Sequence, residues 1–171
     1  MPTINPNPEM LTYEQIIQKT ITLDTAVKRF NTEFRNKYKI VFTNGCFDLL
    51  HRGHIYYLSR ARELGNLLVV GLNSDASVTK LKGPDRPVNN QEARADMLGA
   101  LGFVDYIIVF EEETPLDLIT VLQPDILVKG GEYKLEEIVG YHELASWGGR
   151  VETIPMLEGY SSSSIINRKN N

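Results

Sequence analysis

The chain has 171 residues, 42% of them hydrophobic and 23% charged, which suits one soluble domain with a continuous apolar core and excludes a disordered or fibrous repeat protein. Its formal net charge of -4 excludes the broad basic field that sequence-independent binding to nucleic acid or an anionic membrane requires, so an anionic ligand must be held locally. A single cysteine, Cys46, forms no intrachain disulfide. With no signal-peptide pattern and no apolar run of membrane-spanning length, it points to the cytoplasm.

Residues 1–10 hold three prolines and two asparagines and are expected to be a flexible lead-in. Residues 11–37 read as a helical N-terminal extension. Thr12-Tyr13-Glu14-Gln15 has the form of a capping box, and Leu23, Val27, Phe30 and Phe34 recur at the spacing of one helix face. From residue 38 to 171 short apolar runs alternate with helical patterns. That alternation predicts a Rossmann-like α/β fold, a doubly wound parallel sheet of about five strands with covering helices. The predicted strands are 39–43, 67–72, 106–110, 126–129 and 151–154. Helices are predicted over 51–64, 90–101, 115–122 and 135–147, with a last short one starting within Ser161–Ser164. The start at Thr114-Pro115-Leu116-Asp117 combines a cap, a proline at the first helical position and an early carboxylate. Such sheets bind ligands beyond the carboxyl ends of their strands, which directs attention to the loops after Thr43, Leu72, Phe110, Lys129 and Ile154.

The densest chemical signal is Thr43-Asn44-Gly45-Cys46-Phe47-Asp48-Leu49-Leu50-His51-Arg52-Gly53-His54, running off the first main strand into a helix. His51 and His54, three residues apart at a helix start, face one way beside free backbone N–H groups and the positive end of the helix dipole, which suits phosphate. Gly53 between them lets a nucleotide approach the backbone. A plain structural account also exists, with one histidine as a cap and the other in the core. No further histidine or cysteine lies nearby in sequence, so zinc is not expected.

With these residues in view, the chain resembles the HxGH-motif cytidylyltransferase-like nucleotidyltransferases, His51-Arg52-Gly53-His54 matching the signature. The likeness continues through Gly71-Leu72-Asn73-Ser74-Asp75, Lys80-Leu81-Lys82-Gly83, Arg86-Pro87-Val88-Asn89, Glu92, Arg94, Val128-Lys129-Gly130-Gly131-Glu132-Tyr133 and Gly159-Tyr160-Ser161-Ser162-Ser163. It covers almost everything after Lys39 and runs closest to the heptose-phosphate adenylyltransferases. These are often joined to a sugar kinase, and the expectation here is a free-standing version.

The resemblance implies in-line attack of a sugar-phosphate oxygen on the α-phosphorus of ATP, with Mg²⁺ bridging the triphosphate and no metal ligands from side chains. His51, His54 and Lys82 are then the catalytic candidates. Thr43, Asn44, Gly45, Cys46, Phe47, Gly53, Lys129, Gly130, Gly131, Ser161, Ser162 and Ser163 are the nucleotide-site candidates. Asp48, Asn73, Lys80, Arg86 and Arg94 are the acceptor-side candidates. Each set has a structural alternative: Lys80 and Lys82 as a solvated loop, Arg94 paired with Glu92 on a helix surface, the paired glycines as turn chemistry, the serines as caps. Glu132 departs from the aspartate expected in the heptose enzymes. The expected partners are ATP and heptose 1-phosphate, a second copy of the chain and a separate sugar kinase, with no nucleic acid and no membrane. Rival readings are a cytidylyltransferase for glycerol 3-phosphate, a flavin-mononucleotide adenylyltransferase, and a non-catalytic nucleotide-binding partner of a kinase.

Overall fold

A computed structural model describes residues 11–157 together with Gly159, Tyr160 and Ile166. Three short helices open it, α1 (Tyr13–Ile17), α2 (Leu23–Arg29) and α3 (Thr32–Lys37). The alternating part follows as β1 (Ile40–Gly45), α4 (Arg52–Arg62), β2 (Leu67–Asn73), α5 (Asp75–Lys82), α6 (Gln91–Gly99), β3 (Tyr106–Phe110), α7 (Leu116–Leu122) and β4 (Ile126–Gly130). A 3₁₀ turn (Leu135–Glu137), α8 (Tyr141–Ala145) and β5 (Arg150–Ile154) complete the described elements.

The strands form one parallel sheet in the order β3-β2-β1-β4-β5, the doubly wound arrangement expected from the alternation. They read as near-continuous apolar runs because both faces are covered. Val41, Leu68, Val70, Ile126 and Val128 pack against Tyr57, Leu58 and Ala61 of α4 and Ala95 and Leu98 of α6. The intervening residues Ile40, Phe42, Val69, Ile108 and Leu127 pack on the other side with Ala26, Phe30, Leu118, Ile119, Ile138 and Leu144. Strand order reverses between β1 and β4, where the diverging chain ends leave a crevice.

The N-terminal extension closes the β3 edge of the sheet. Ile21 donates to the carbonyl of Ile107, and Ile107 donates back to Lys19, a parallel bridge that occupies exposed strand groups. Tyr13 reaches Asp96 at 2.7 Å, and Gly99 is bare because a Cβ there would lie 2.8 Å from the carbonyl oxygen of Ile16. The capping box at Thr12 and Gln15 is present. Leu23, Val27, Phe30 and Phe34 do not share one helix, however: Asn31 caps α3 through Phe34 N–H, and Val27 is 45% exposed.

Three other boundaries differ from expectation. The predicted helix 135–147 is split: the 3₁₀ segment ends at Glu137 with Ile138 extended, and Gly140 at φ 95° caps the start of α8. Helix α7 begins at Leu116 with Pro115 at the cap and no side-chain cap bond. Lys80 and Lys82 stand on a helix and not on a loop: Ser74 accepts the N–H of Ser77 to start α5, and Gly83 at φ 100° stops it. The Ser161–Ser164 helix start lies outside the described residues.

Candidate active site

At the crevice between β1 and β4 lies an open cleft of about 670 Å³, within the size range of small-molecule sites. Its walls include Gly45, Phe47, His51, His54, Lys82, Arg86, Lys129, Tyr133, Met156 and Tyr160. The turn from β1 into α4 forms its floor. Phe47 sits at φ 44°, a left-handed conformation that costs a bulky residue about 1–2 kcal/mol. The turn places the Phe47 ring 5.2 Å from that of His54. Gly45 is required beside it, because a Cβ there would meet the Phe47 ring at 3.0 Å.

His51 occupies the N-cap of α4 and makes no capping hydrogen bond with its side chain. Its ring stacks on His54 at 3.8 Å and 21°. The Nδ1 atoms of both rings are buried without a hydrogen-bond partner, which is costly for an imidazole unless a ligand uses the pair. Burial pushes the pKa of His54 down to about 4, aided by its neighbour, and burial lowers that of His51. A hydrogen bond to the backbone of Leu49 partly opposes the shift at His54, and a neutral imidazole carries one N–H donor and one acceptor nitrogen. Gly53 serves this stack, since a Cβ would lie 3.0 Å from the His51 ring and 3.2 Å from Tyr160 Cβ. The glycine expected to admit a nucleotide to the backbone therefore also admits the imidazole.

Lys129, near the end of β4, donates its ammonium hydrogen bond to the Asn44 carboxamide oxygen across the crevice. Burial lowers its pKa to about 8, and among the described residues no carboxylate forms an ion pair with it. Gly130 is bare because a Cβ would strike Met156 Sδ at 2.7 Å, and Gly131 needs its φ of 120°. Together they bring β4 and the Met156 segment close above the crevice.

Four predicted ligand-binding residues have their polar groups engaged within the protein, Asp48 among them although it also lines the cleft. Asp48 is 2% exposed. Its carboxylate accepts from Arg86 Nε, from Val88 N–H at 2.7 Å and from Asn89 N–H at 3.2 Å, so it holds loop 86–89 and has little capacity left for an acceptor. Burial opposes its ionisation, yet the bonds from Arg86, Asn89 and Val88 outweigh that and lower its pKa. Arg94 is fully buried. It donates to the carbonyls of Asn89, Cys46 and Asn73 and pairs with Asp75 at 2.7 Å, which makes it neither a phosphate clamp nor a surface partner of Glu92. Asn73, 4% exposed, is spent on Ser77 Oγ at 3.0 Å. Thr43 is fully buried with its hydroxyl 2.6 Å from Tyr57. Because Tyr57 donates its own proton to Val128 O, Thr43 must be the donor, fastening β1, α4 and β4 beneath the site.

Of the remaining candidates, Lys82 and Arg86 reach the cleft and Cys46 lines it, while Lys80 is exposed away from its walls. Asn44 lines the part of the crevice next to Tyr57. Ser161, Ser162 and Ser163 lie outside the described residues. Tyr133, Met156 and Tyr160 also line the cleft; both tyrosines fall within the resembling motifs but are not among the site candidates, and Met156 falls in none. Tyr133 directly follows Gly130-Gly131-Glu132, a cue that was available; Met156, beyond the last strand, offered none. Trp147, just beyond α8, packs against the core and donates to Pro124 O at 3.0 Å.

Comparison with known proteins agrees with this geometry. The chain is 57% identical over 136 residues to the Bifunctional protein HldE of Syntrophotalea carbinolica, an alignment that covers 80% of this chain and 28% of that protein. It thus spans less than a third of the curated relative it matches. Among solved structures, the lipopolysaccharide core biosynthesis protein of Thermoplasma volcanium superposes with a TM-score of 0.58 and 27% identity over 72% of this chain and 99% of the other. Pantothenate synthetase of Thermus thermophilus shares the fold, with a TM-score of 0.61 and 18% identity over 88% of this chain and 70% of that one. Among the described residues no helix is long and apolar enough to cross a membrane. With residues 42–168 matching the cytidylyltransferase-like family, and with the stacked histidines of its motif at the mouth of the doubly wound sheet, this chain belongs to the cytidylyltransferase-like nucleotidyltransferases.

Proposed function

We propose that this domain transfers AMP from ATP to a heptose 1-phosphate in the cytoplasm, giving ADP-heptose and pyrophosphate for surface-carbohydrate synthesis. The observation that supports the transfer chemistry is the stacked pair His51 and His54 at the cleft, with both Nδ1 atoms buried and unpartnered. The choice of a heptose phosphate rests on the likeness of Val128-Lys129-Gly130-Gly131 and the neighbouring motifs to heptose enzymes. It is supported by the HldE relative and by the structural neighbour named for lipopolysaccharide core biosynthesis. A sugar kinase supplying the phosphorylated acceptor fits the word bifunctional in the relative's name.

The chain's part in the reaction is positioning and charge stabilisation, with no covalent intermediate. Phosphate oxygens of ATP accept the N–H groups of the two imidazoles. As the bond between α-phosphorus and bridging oxygen breaks, negative charge grows on the departing pyrophosphate and those donors strengthen. Lys82, which also lines the cleft, adds positive charge where the reacting phosphates meet, and Arg86 stands by it in its pair with Asp48. Among the described residues no group of three or more His, Cys, Asp or Glu side chains is set for a metal. Mg²⁺ bound to the triphosphate would neutralise charge there.

The test is pyrophosphate release with Mg²⁺, crossing ATP and CTP against heptose 1-phosphate and glycerol 3-phosphate, with His54→Ala as control. Turnover confined to ATP with the heptose phosphate is expected. A CTP-dependent signal keeps the chemistry and replaces the substrates. Nucleotide binding with no turnover in any combination turns the domain into a binding module.

A further inference from the structure

A column of rings runs along the cleft through the histidine pair. Phe47 stands 5.2 Å from His54 at 59°, His54 stacks on His51 at 3.8 Å, and the Tyr160 ring lies 6.5 Å from His51, tilted by 25°. The two ends of the column are anchored differently. Phe47 is 5% exposed and packed in the core on the α4 side, whereas Tyr160, beyond β5, is 36% exposed. Among the described residues Arg52, the first of α4, holds Tyr160: its Nη1 donates to the tyrosine hydroxyl at 3.2 Å, and its guanidinium lies 5.7 Å from the ring centroid.

We infer that Tyr160 is a positioning residue for the reaction, held in place by Arg52 and acting through His51, whose imidazole it keeps aligned with that of His54. The inference rests on the adenylyl-transfer reading and adds to it the residues that fix the direction in which the first histidine points.

Three observations carry it. His51 makes no capping hydrogen bond at the start of α4, and its Nδ1 has no partner. The terminal torsion of an imidazole is soft, so the direction of this ring must come from packing. The second observation is a shared seat over Gly53. A Cβ there would lie 3.0 Å from His51 Cε1 and Nδ1 and 3.2 Å from Tyr160 Cβ, so the imidazole and the tyrosine side chain converge on one bare spot of backbone. Third, Gly159 stands at φ 81° directly before Tyr160, a conformation open to glycine. Arg52 then keeps the ring at the helix start through a polar bond and the attraction of a cation for an aromatic face. A donor aimed at developing charge works within a narrow range of direction, and misalignment costs rate more than binding.

The experiment combines NMR relaxation of the His51 ring carbons in the nucleotide-free chain with steady-state kinetics in Mg-ATP and heptose 1-phosphate, on Tyr160→Ala, Tyr160→Phe and Arg52→Gln. Tyr160→Ala should loosen the His51 ring and lower kcat about tenfold or more, with the ATP KM held within about twofold. Tyr160→Phe keeps the ring and its face for the guanidinium, and should restore the order of His51 and bring kcat to within about threefold of the parent. Arg52→Gln should fall between the two. A His51 ring as ordered in Tyr160→Ala as in the parent overturns the inference. An effect of Tyr160→Ala confined to the ATP KM overturns it too, by making the tyrosine a plain nucleotide contact. Tyr160→Phe as slow as Tyr160→Ala does the same, by assigning the work to the hydroxyl. If the parent turns over no pair of nucleotide and acceptor while His51 loosens in Tyr160→Ala, the ring column stands and the adenylyl-transfer reading falls, so the two failures are distinguishable.

Discussion

Two stretches of the chain carry most of its candidate chemistry, and they use their polar residues in opposite ways. Between Asn44 and His54 the imidazoles and the strained turn face the cleft, the two Nδ1 atoms unpartnered, while Asp48 turns inward. Between Asn73 and Arg94 the groups that matter most to the fold, Asn73 and Arg94, turn inward. Arg94 ties Cys46, Asn73 and Asn89 together, and Asp48 reaches across to bind Arg86 and the backbone beyond it. The second stretch is thus the clamp that holds the first in shape. A buried charge with all its partners in the protein is architecture, whereas a buried polar atom with none is an invitation to a ligand.

The sharpest break in that comparison is Arg94→Met. It leaves the carbonyls of Cys46 and Asn73 without a donor and Asp75 without its cation, and should destabilise the fold by about 3–5 kcal/mol. Thermal unfolding should show Tm falling by about 10 °C for a chain of this size. Unchanged Tm would mean that Arg94 is not the clamp.

His54→Ala should do the reverse. The ring lies in the cleft, so kcat should drop by about 10²–10³, the scale of a lost donor to developing charge, with little loss of Tm. Removing a neutral buried imidazole also changes the pH dependence of stability. Its folded pKa of about 4 lies below the ordinary 6.5, so the unfolded chain binds the extra proton and stability is lost as pH falls from about 6.5 toward 4. That loss should be absent in His54→Ala, as urea midpoints across this range would reveal.

Asp48→Asn comes next. The carboxylate's lowered pKa means that its contribution is complete above the ordinary value of 3.8 and disappears as pH falls through the lower folded value. At pH 7 the substitution should cost about 1–3 kcal/mol by weakening charged hydrogen bonds to loop 86–89. Once pH has fallen through that lower folded value, the variant and parent should converge. The two acid windows separate the outward and inward groups in a single titration.

The same contrast decides what could be read before the structure. Strand positions were legible within about a residue, because a parallel sheet covered on both faces imprints apolar runs such as Leu67–Leu72. The histidine pair was legible because its spacing and its place after a strand leave few other uses. What a linear sequence hides is the partner. Nothing in Asn90-Gln91-Glu92-Ala93-Arg94 says that the guanidinium points inward to carbonyls 21 and 48 residues earlier. Helix α5 was hidden for a different reason. Its start signal, Ser74 with Asp75 behind it, was present, but Lys80, Lys82, Gly83 and Pro84 draw the reading toward a loop. Residues 135–147 erred the other way, with one left-handed glycine dividing a pattern that otherwise looks continuous.

The smallest expected effect tests the one place where outward and inward cannot be told from charge at all. Lys80 and Lys82 are both exposed and both near the end of α5, yet two residues along a helix turn the side chain by about 200°. Lys82 consequently faces the cleft beside Arg86, while Lys80 faces solvent and lines no part of it. Lys82→Ala should lower kcat/KM about tenfold or more, and Lys80→Ala should change it less than about twofold, since a solvated lysine away from the reacting phosphates adds only screened, long-range attraction. Measured at low and at high salt, the small Lys80 effect should vanish with added salt and the Lys82 effect should persist. Equal losses from both would instead mean that α5 acts through its net charge, and that the direction in which Lys82 points is irrelevant to catalysis.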